Sequence, residues 1–400
     1  MIVFILFFIN AIFFHMRKFS FLLLLSAYIC LSFSAVKDPV SLYISKMSLR
    51  EKVGQLYVIR PDALNKKLTP EEVNNHNNNG VTEITSDIKK FYEKYPAGNF
   101  VLFGKNITDP NQLQIFSDEL HNLSEIPSLL FIDEEGGSVS RLANHEAFVL
   151  PRFRNMKDLG DRGDELQALR VGQTIGSYLN FYGLDVDFAP VCDVNSNPEN
   201  PIIGPRAFSS NPSHAAFLSM KVLQGLRDEN IEGCLKHFPG HGDTRTDSHK
   251  GYTECLKTLE ELRNCELVPF IAGIENDAQF IMTAHVAYPN VTKDNTPATL
   301  STYFITDLLR NEMGYKGIII TDAMNMDAIA KYYSEDTAAI LAIQAGVDMI
   351  LMPNDFQKSF DSVVKAVKSK KIKEKRIDES VYRILQYKQK HFNFLNLNRE

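Results

Sequence analysis

The sequence predicts an α/β fold, a (β/α)₈ TIM barrel that forms a single catalytic domain with long βα loops. Eight short apolar runs recur along the chain, at 54–59, 99–104, 128–133, 184–194, 233–237, 280–286, 317–322 and 349–353. Amphipathic segments lie between several of them, such as Leu166, Leu169, Val171, Ile175, Tyr178 and Leu179, or Phe217, Met220, Val222, Leu223 and Leu226, whose three- and four-residue spacing is helical. That alternation implies parallel strands joined by crossover helices. An open doubly wound sheet alternates in the same way. Closure is favoured because Asp133, Asp193, His237, His285, Asp322 and Asn354 stand at or just past the ends of the runs, where a barrel assembles its site.

Residues 1–35 read as a signal peptide or N-terminal anchor. Arg17 and Lys18 are the only charges in residues 1–34, and they precede a Leu-rich stretch with Ser32, Ser34 and Ala35 at its end. This is the pattern of an export signal starting at Met16, so a periplasmic or secreted protein is expected, touching a membrane only if the segment stays uncleaved. Residues 36–400 then form the barrel with its C-terminal helices. The formal charge of −6 becomes −8 without those two basic residues, a balance that argues against nucleic acid as a partner.

Two regions depart from the repeat. Residues 61–97, with the Asn-rich 74–79, read as a polar insertion, partly disordered or lid-like. The tail from Phe356 to Lys390 reads as helices whose basic stretch Lys368–Arg376 is a solvated face. Beyond the leader, Cys192 and Cys234 sit in apolar runs as core residues, while Cys255 and Cys265 flank a short helical segment. The sequence does not specify an oligomeric state.

Chemistry concentrates in the fourteen residues from Lys236 to His249, which hold His237, His241, His249, Asp243 and Asp247 among Pro239, Gly240 and Gly242. Such a loop carries function rather than regular structure. His237, His241, Asp243 and His249 are metal-ligand types, but no helical pair of the His-Glu-x-x-His kind fixes their geometry. Asp247 and His249 instead suit acid/base work, the carboxylate orienting one ring nitrogen so that the other transfers a proton. Asp322 follows a buried run and either faces a pocket or caps the next helix; its position leaves both open. Asp133 opens Asp133-Glu-Glu-Gly-Gly, where carboxylates either accept a ligand's hydroxyls or cap a helix, and Arg141 and Arg206 are candidates for the same pocket.

The stretch Lys236-His-Phe-Pro-Gly-His-Gly-Asp-Thr followed by Asp247-Ser-His resembles the signature of bacterial glycoside hydrolase family 3 β-N-acetylhexosaminidases. The likeness continues in order through Asn99-Phe-Val-Leu-Phe-Gly, Asp133-Glu-Glu-Gly-Gly, Asp187-Phe-Ala-Pro-Val, Ile203-Gly-Pro-Arg, Met282-Thr-Ala-His, Pro297-Ala-Thr-Leu-Ser and Ala345-Gly-Val-Asp-Met. It implies a (β/α)₈ barrel, Asp322 as nucleophile, His249 held by Asp247 as acid/base, and Asp133, Arg141, Arg206, Lys236 and His237 lining a sugar site. It implies no metal and no cofactor, a carbohydrate as the partner, and retaining hydrolysis of terminal β-linked N-acetylglucosamine. Some members carry a second domain that supplies a glutamate acid/base; this chain resembles the branch that uses the loop histidine. Many relatives have Gln or His at Glu134, Arg at Ser138 and Arg at Lys105. The loop itself is expected to divide, with Lys236 and His237 on a rigid floor and Gly240 and Gly242 as hinges of a movable arm that carries His249.

Overall fold

Each of the eight apolar runs supplies one parallel strand in the computed structural model, which describes residues 38–75 and 77–395. In chain order these are β1 (Tyr57–Ile59), β2 (Asn99–Leu102), β3 (Leu129–Ile132), β6 (Val186–Asp187), β7 (Glu232–Phe238), β8 (Phe280–Thr283), β9 (Ile318–Thr321) and β10 (Ile350–Leu351). A small antiparallel hairpin, β4 (Glu134–Gly136) and β5 (Val139–Ser140), rises from the end of β3. The large sheet runs β10-β1-β2-β3-β6-β7-β8-β9. A bridge between Ile320 and Met349, with Thr321 N donating to Met349 O at 3.0 Å, joins its two edges and leaves the barrel almost closed. The expected export segment lies outside the described residues. The chain divides after Lys46 into two compact units; in the first, the helix Pro39–Ile44 starts at Asp38, whose side chain accepts from Ser41 N.

Strand lengths follow local chemistry. The run 184–194 yields only two residues of regular strand, because Pro190 has no N–H to give the ladder. Pairing resumes on either side of it, with Cys234 N donating to Ala189 O and Cys192 N to Lys236 O. The hairpin turns at Gly137 and Ser138; Gly137 and the preceding Gly136 lie at positive φ (67° and 87°), which glycine adopts without strain. The glycines that follow the acidic trio therefore turn the chain back on itself and start no helix.

The helices Glu165–Phe181 and Pro212–Asp228 bury Val171, Ile175, Leu179, Val222, Leu223 and Leu226 as expected, but Leu166 and Phe217 face solvent. They pack closely through Gly172 and Gly225; a Cβ on Gly172 would lie 2.2 Å from the Val222 carbonyl oxygen.

Residues 61–97 are more ordered than their composition suggests. Ser86–Lys94 is itself the first crossover helix, started by Thr85. Buried Asp62 accepts from Asn106 Nδ2 at 2.8 Å and Val81 N at 3.2 Å, and Lys105 Nζ lies 3.3 Å away. Asn74 donates to the Asn354 carbonyl at 2.9 Å. Among the described residues, polar side chains tie the segment to the barrel, which accounts for its composition.

At the opposite end of the strands, Asp348 collects Arg310, Arg383 at 2.9 Å and Ser380 at 2.6 Å, fastening the final helix Glu374–Phe392 to the barrel. Of the basic stretch, Lys368, Lys370, Lys371, Lys373 and Lys375 are exposed, whereas Arg376 turns inward to the carbonyls of Ile343 and Val347. All four cysteines of the described region are free, Cys255 and Cys265 included.

Candidate active site

A cavity of about 590 Å³ opens at the C-terminal ends of the strands. Asp133, Arg141, Arg206, Lys236, His237, His249 and Asp322 all line it, so seven of the eight site residues implied by the family resemblance meet there. The eighth, Asp247, bonds to one of them.

The floor is a chain of alternating charges. Arg141 Nη2 lies 3.0 Å from Asp133 Oδ2, and Lys236 Nζ lies 3.1 Å from Asp133 Oδ1 and 2.6 Å from Glu135 Oε1. Arg206 grips Glu135 with two bonds of 2.7 and 2.8 Å. Burial alone would raise both carboxyl groups, but the cations outweigh it. Lys236 and Arg141 hold Asp133 well below the usual carboxylate range, and Arg206 and Lys236 bring Glu135 down to about 2. Arg206 therefore reaches the cavity already paired. Glu135 is the residue that sequence reasoning left out of the site; nothing in its acidic trio distinguishes it until the hairpin turns it toward Lys236.

His237 is fixed from behind. Buried Asp193 accepts from its Nδ1 at 2.6 Å and from its backbone N at 3.2 Å, leaving Nε2 as the ring atom free to serve the cavity. Asp193 stands among the polar strand ends and is thus a support for the site, not a liner. Phe103 forms part of the wall, with the guanidinium carbons of Arg141 and Arg60 at 4.9 and 5.0 Å from its ring centre.

Of the two roles its position left open, Asp322 takes the first: it lines the cavity, and the next helix, Asp327–Ala330, starts at Met326 with no side-chain cap. Its Oδ1 accepts from the adjacent Ala323 N at 2.7 Å. Burial opposes its ionisation, but His237, His285 and His249 together lower its pKa. His285 stands behind it, bonded to Thr299 Oγ1 at 2.8 Å and the Ala323 carbonyl at 3.0 Å.

His249 is of a different kind. Its side chain is 55% exposed, and its Nδ1 lies 2.9 Å from Asp247 Oδ1. Asp247 also accepts from His249 N, and these bonds overcome burial to hold its pKa below the ordinary value.

The four metal-ligand types of the loop do not converge. His241 uses both ring nitrogens on Thr244 and Ser248, and Asp243 turns to Ser196 and Lys257. Among the described residues, no group of three or more His, Cys, Asp or Glu could hold a metal ion. The expected glycine hinges also differ. A Cβ on Gly242 would fall 1.7 Å from the Val194 carbonyl oxygen, and one on Gly240 2.5 Å from the Glu266 side chain. Both glycines are there for close packing, so any freedom in the arm lies beyond them.

The model of the glycosyl hydrolase family 3 N-terminal domain matches residues 48–387. The chain belongs to glycoside hydrolase family 3. It is similar to Beta-hexosaminidase A of Pseudoalteromonas piscicida, 31% identical over 335 residues that make up 78% of this chain and 56% of that protein. A Beta-hexosaminidase of Nitrosomonas eutropha is 34% identical over 263 residues, 65% of this chain and 74% of the relative. Among solved structures, a family 3 beta-N-acetylglucosaminidase from a Paenibacillus species superposes with a TM-score of 0.77 at 35% identity, covering 87% of this chain and 63% of that one. A Beta-N-acetylhexosaminidase from Beutenbergia cavernae gives 0.74 at 25% identity, covering 86% and 99%. This chain thus spans little more than half of the Pseudoalteromonas protein and nearly all of the Beutenbergia one.

Within this family 3 chain the three departures separate. Glu134 faces away from the cavity, accepting from Leu142 N, Ala143 N and Tyr178 Oη at 2.8 to 2.9 Å. Lys105 bonds the carbonyls of Val73 and Asn75 at 3.0 Å. Of the three, Ser138 alone lines the cavity, at the turn of the hairpin.

Proposed function

We propose that this chain is an exo-acting, retaining glycosidase that removes terminal β-linked N-acetylglucosamine from peptidoglycan fragments or chitin-type oligosaccharides. The observation that carries the reading is one cavity holding an ionised Asp322, the loop histidine His249 with its Asp247 partner, and a floor of paired charges. The names of the relatives support the sugar class, and the Leu-rich N-terminal stretch supports export.

In this mechanism Asp322 attacks the anomeric carbon while His249 Nε2 gives its proton to the departing oxygen. The glycosidic bond breaks, an alcohol leaves, and the sugar remains as an ester of Asp322. Neutral His249 then takes a proton from water, which attacks the same carbon and frees the carboxylate. Asp247 accepts the Nδ1 proton throughout, keeping Nε2 as the transferring atom. Asp133, Arg141, Lys236, His237 and Arg206 bind the hydroxyl and acetamido groups. Their mutual pairing leaves donors and acceptors already aimed, so little reorganisation accompanies binding.

Release of product from an aryl N-acetylglucosaminide, measured with and without inorganic phosphate, tests the reading. Free N-acetylglucosamine is expected in both cases. A sugar 1-phosphate as the main product would replace hydrolysis by phosphorolysis, and turnover confined to aryl glucosides would overturn the sugar assignment.

A further inference from the structure

We propose that His241 is a positioning residue that latches the acid/base loop in place through Ser248. The inference rests on reading His249 as the acid/base.

The proton positions follow from the partners. Thr244 Oγ1 donates to the His241 carbonyl at 3.0 Å, so its oxygen is left to accept from His241 Nδ1–H at 2.8 Å. Nε2 then carries no proton and accepts from the Ser248 hydroxyl at 2.9 Å. This pattern needs a neutral ring. His241 is 2% exposed, and burial, reinforced by the neighbouring His237, lowers its pKa to about 4.

Both ends of the latch are anchored. Asp193, which fixes His237, also accepts from His241 N at 2.7 Å, tying the latch to the floor of the cavity. Asn200 Nδ2 donates to the His241 carbonyl at 2.9 Å and the Thr244 carbonyl at 3.1 Å. At the far end, Ser248 is 1% exposed and its carbonyl accepts from Ala328 N at 3.2 Å, although its neighbour His249 is largely in solvent. The Asp247 bond spans two residues and sets the tautomer of His249. The latch sets where in the barrel that ring is carried.

The test compares two aryl N-acetylglucosaminides in the full chain. A dinitrophenolate departs without a proton, whereas a methoxyphenolate needs one, so a misplaced acid harms only the second. Ser248→Ala is expected to lower kcat/KM for the methoxyphenyl substrate by about ten- to a hundredfold and for the dinitrophenyl substrate by less than about twofold. Ser248→Thr, which keeps the hydroxyl, is expected to restore most of the difference. The ratio between substrates does not depend on the fraction of protein folded, so a partly misfolded variant still gives an answer. Equal losses on both substrates, or no loss, overturn the latch. His249→Ala separates the two failures. If it shows the leaving-group dependence that Ser248→Ala lacks, the acid/base reading stands without the latch; if it shows none, both fall.

Discussion

The floor and the arm of this cavity hold their charged groups in opposite ways. On the floor, Lys236 is 3% exposed and bonds two carboxylates, and Glu135 in turn bonds two cations. On the arm, His249 is mostly solvated, with Asp247 two residues away. The floor's pairing holds it in a single arrangement, as binding a fixed pattern of sugar hydroxyls requires. In the proposed mechanism the proton donor must also serve water in the second half of the reaction, and the exposed ring of His249 is open to it. In that mechanism, rigidity is thus placed where the sugar is recognised, and access where protons move.

The largest effect is expected at Asp322, the proposed nucleophile. Asp322→Asn is expected to lower kcat/KM by about 10⁴-fold or more on every aryl substrate, whatever the leaving group, as steady-state kinetics would show. His249→Ala is expected to cost about 10²- to 10⁴-fold on poor leaving groups and far less on activated ones. Because His249 is exposed, the same substitution should move the urea unfolding free energy by no more than about 0.5 kcal/mol. Glu135→Gln sharpens the contrast in the other direction. It leaves Arg206 and Lys236 short of a buried counter-charge, and denaturant unfolding is expected to show a loss of roughly 3–5 kcal/mol.

The floor also predicts the acid limit of the fold. The carboxyl of Glu135 titrates at about 2 in the native chain and at about 4.3 when unfolded. The native state therefore binds fewer protons between those values, and the contribution is complete above the higher one and disappears as pH falls through the lower. It amounts to roughly 3 kcal/mol, so the unfolding free energy followed from pH 6 to pH 2 should fall by about that much more in the wild type than in Glu135→Gln, where Asp133 and Asp322 still contribute.

The strands were legible because β1 and β9, for example, are buried on both faces and so read as unbroken apolar runs. Asp322 and His237 were legible because strand ends deliver side chains to one face of a barrel. What sequence could not give were pairings between distant segments. The Glu135 bonds to Lys236 and Arg206 cross 101 and 71 residues, and the packing of Gly242 on Val194 depends on a segment forty-eight residues earlier. Composition likewise misled over 61–97, where Asp62 and Asn74 look like solvated loop residues until their barrel partners are known.

In the proposed mechanism Asp322 forms a covalent bond to the sugar. A slowly turned-over fluorinated N-acetylglucosaminyl donor, followed by proteolysis and mass spectrometry, tests it directly. One sugar per chain is expected, attached to the peptide that contains Asp322 and absent from Asp322→Asn. A stable adduct on another residue, or turnover of the donor with no covalent species at all, would contradict it.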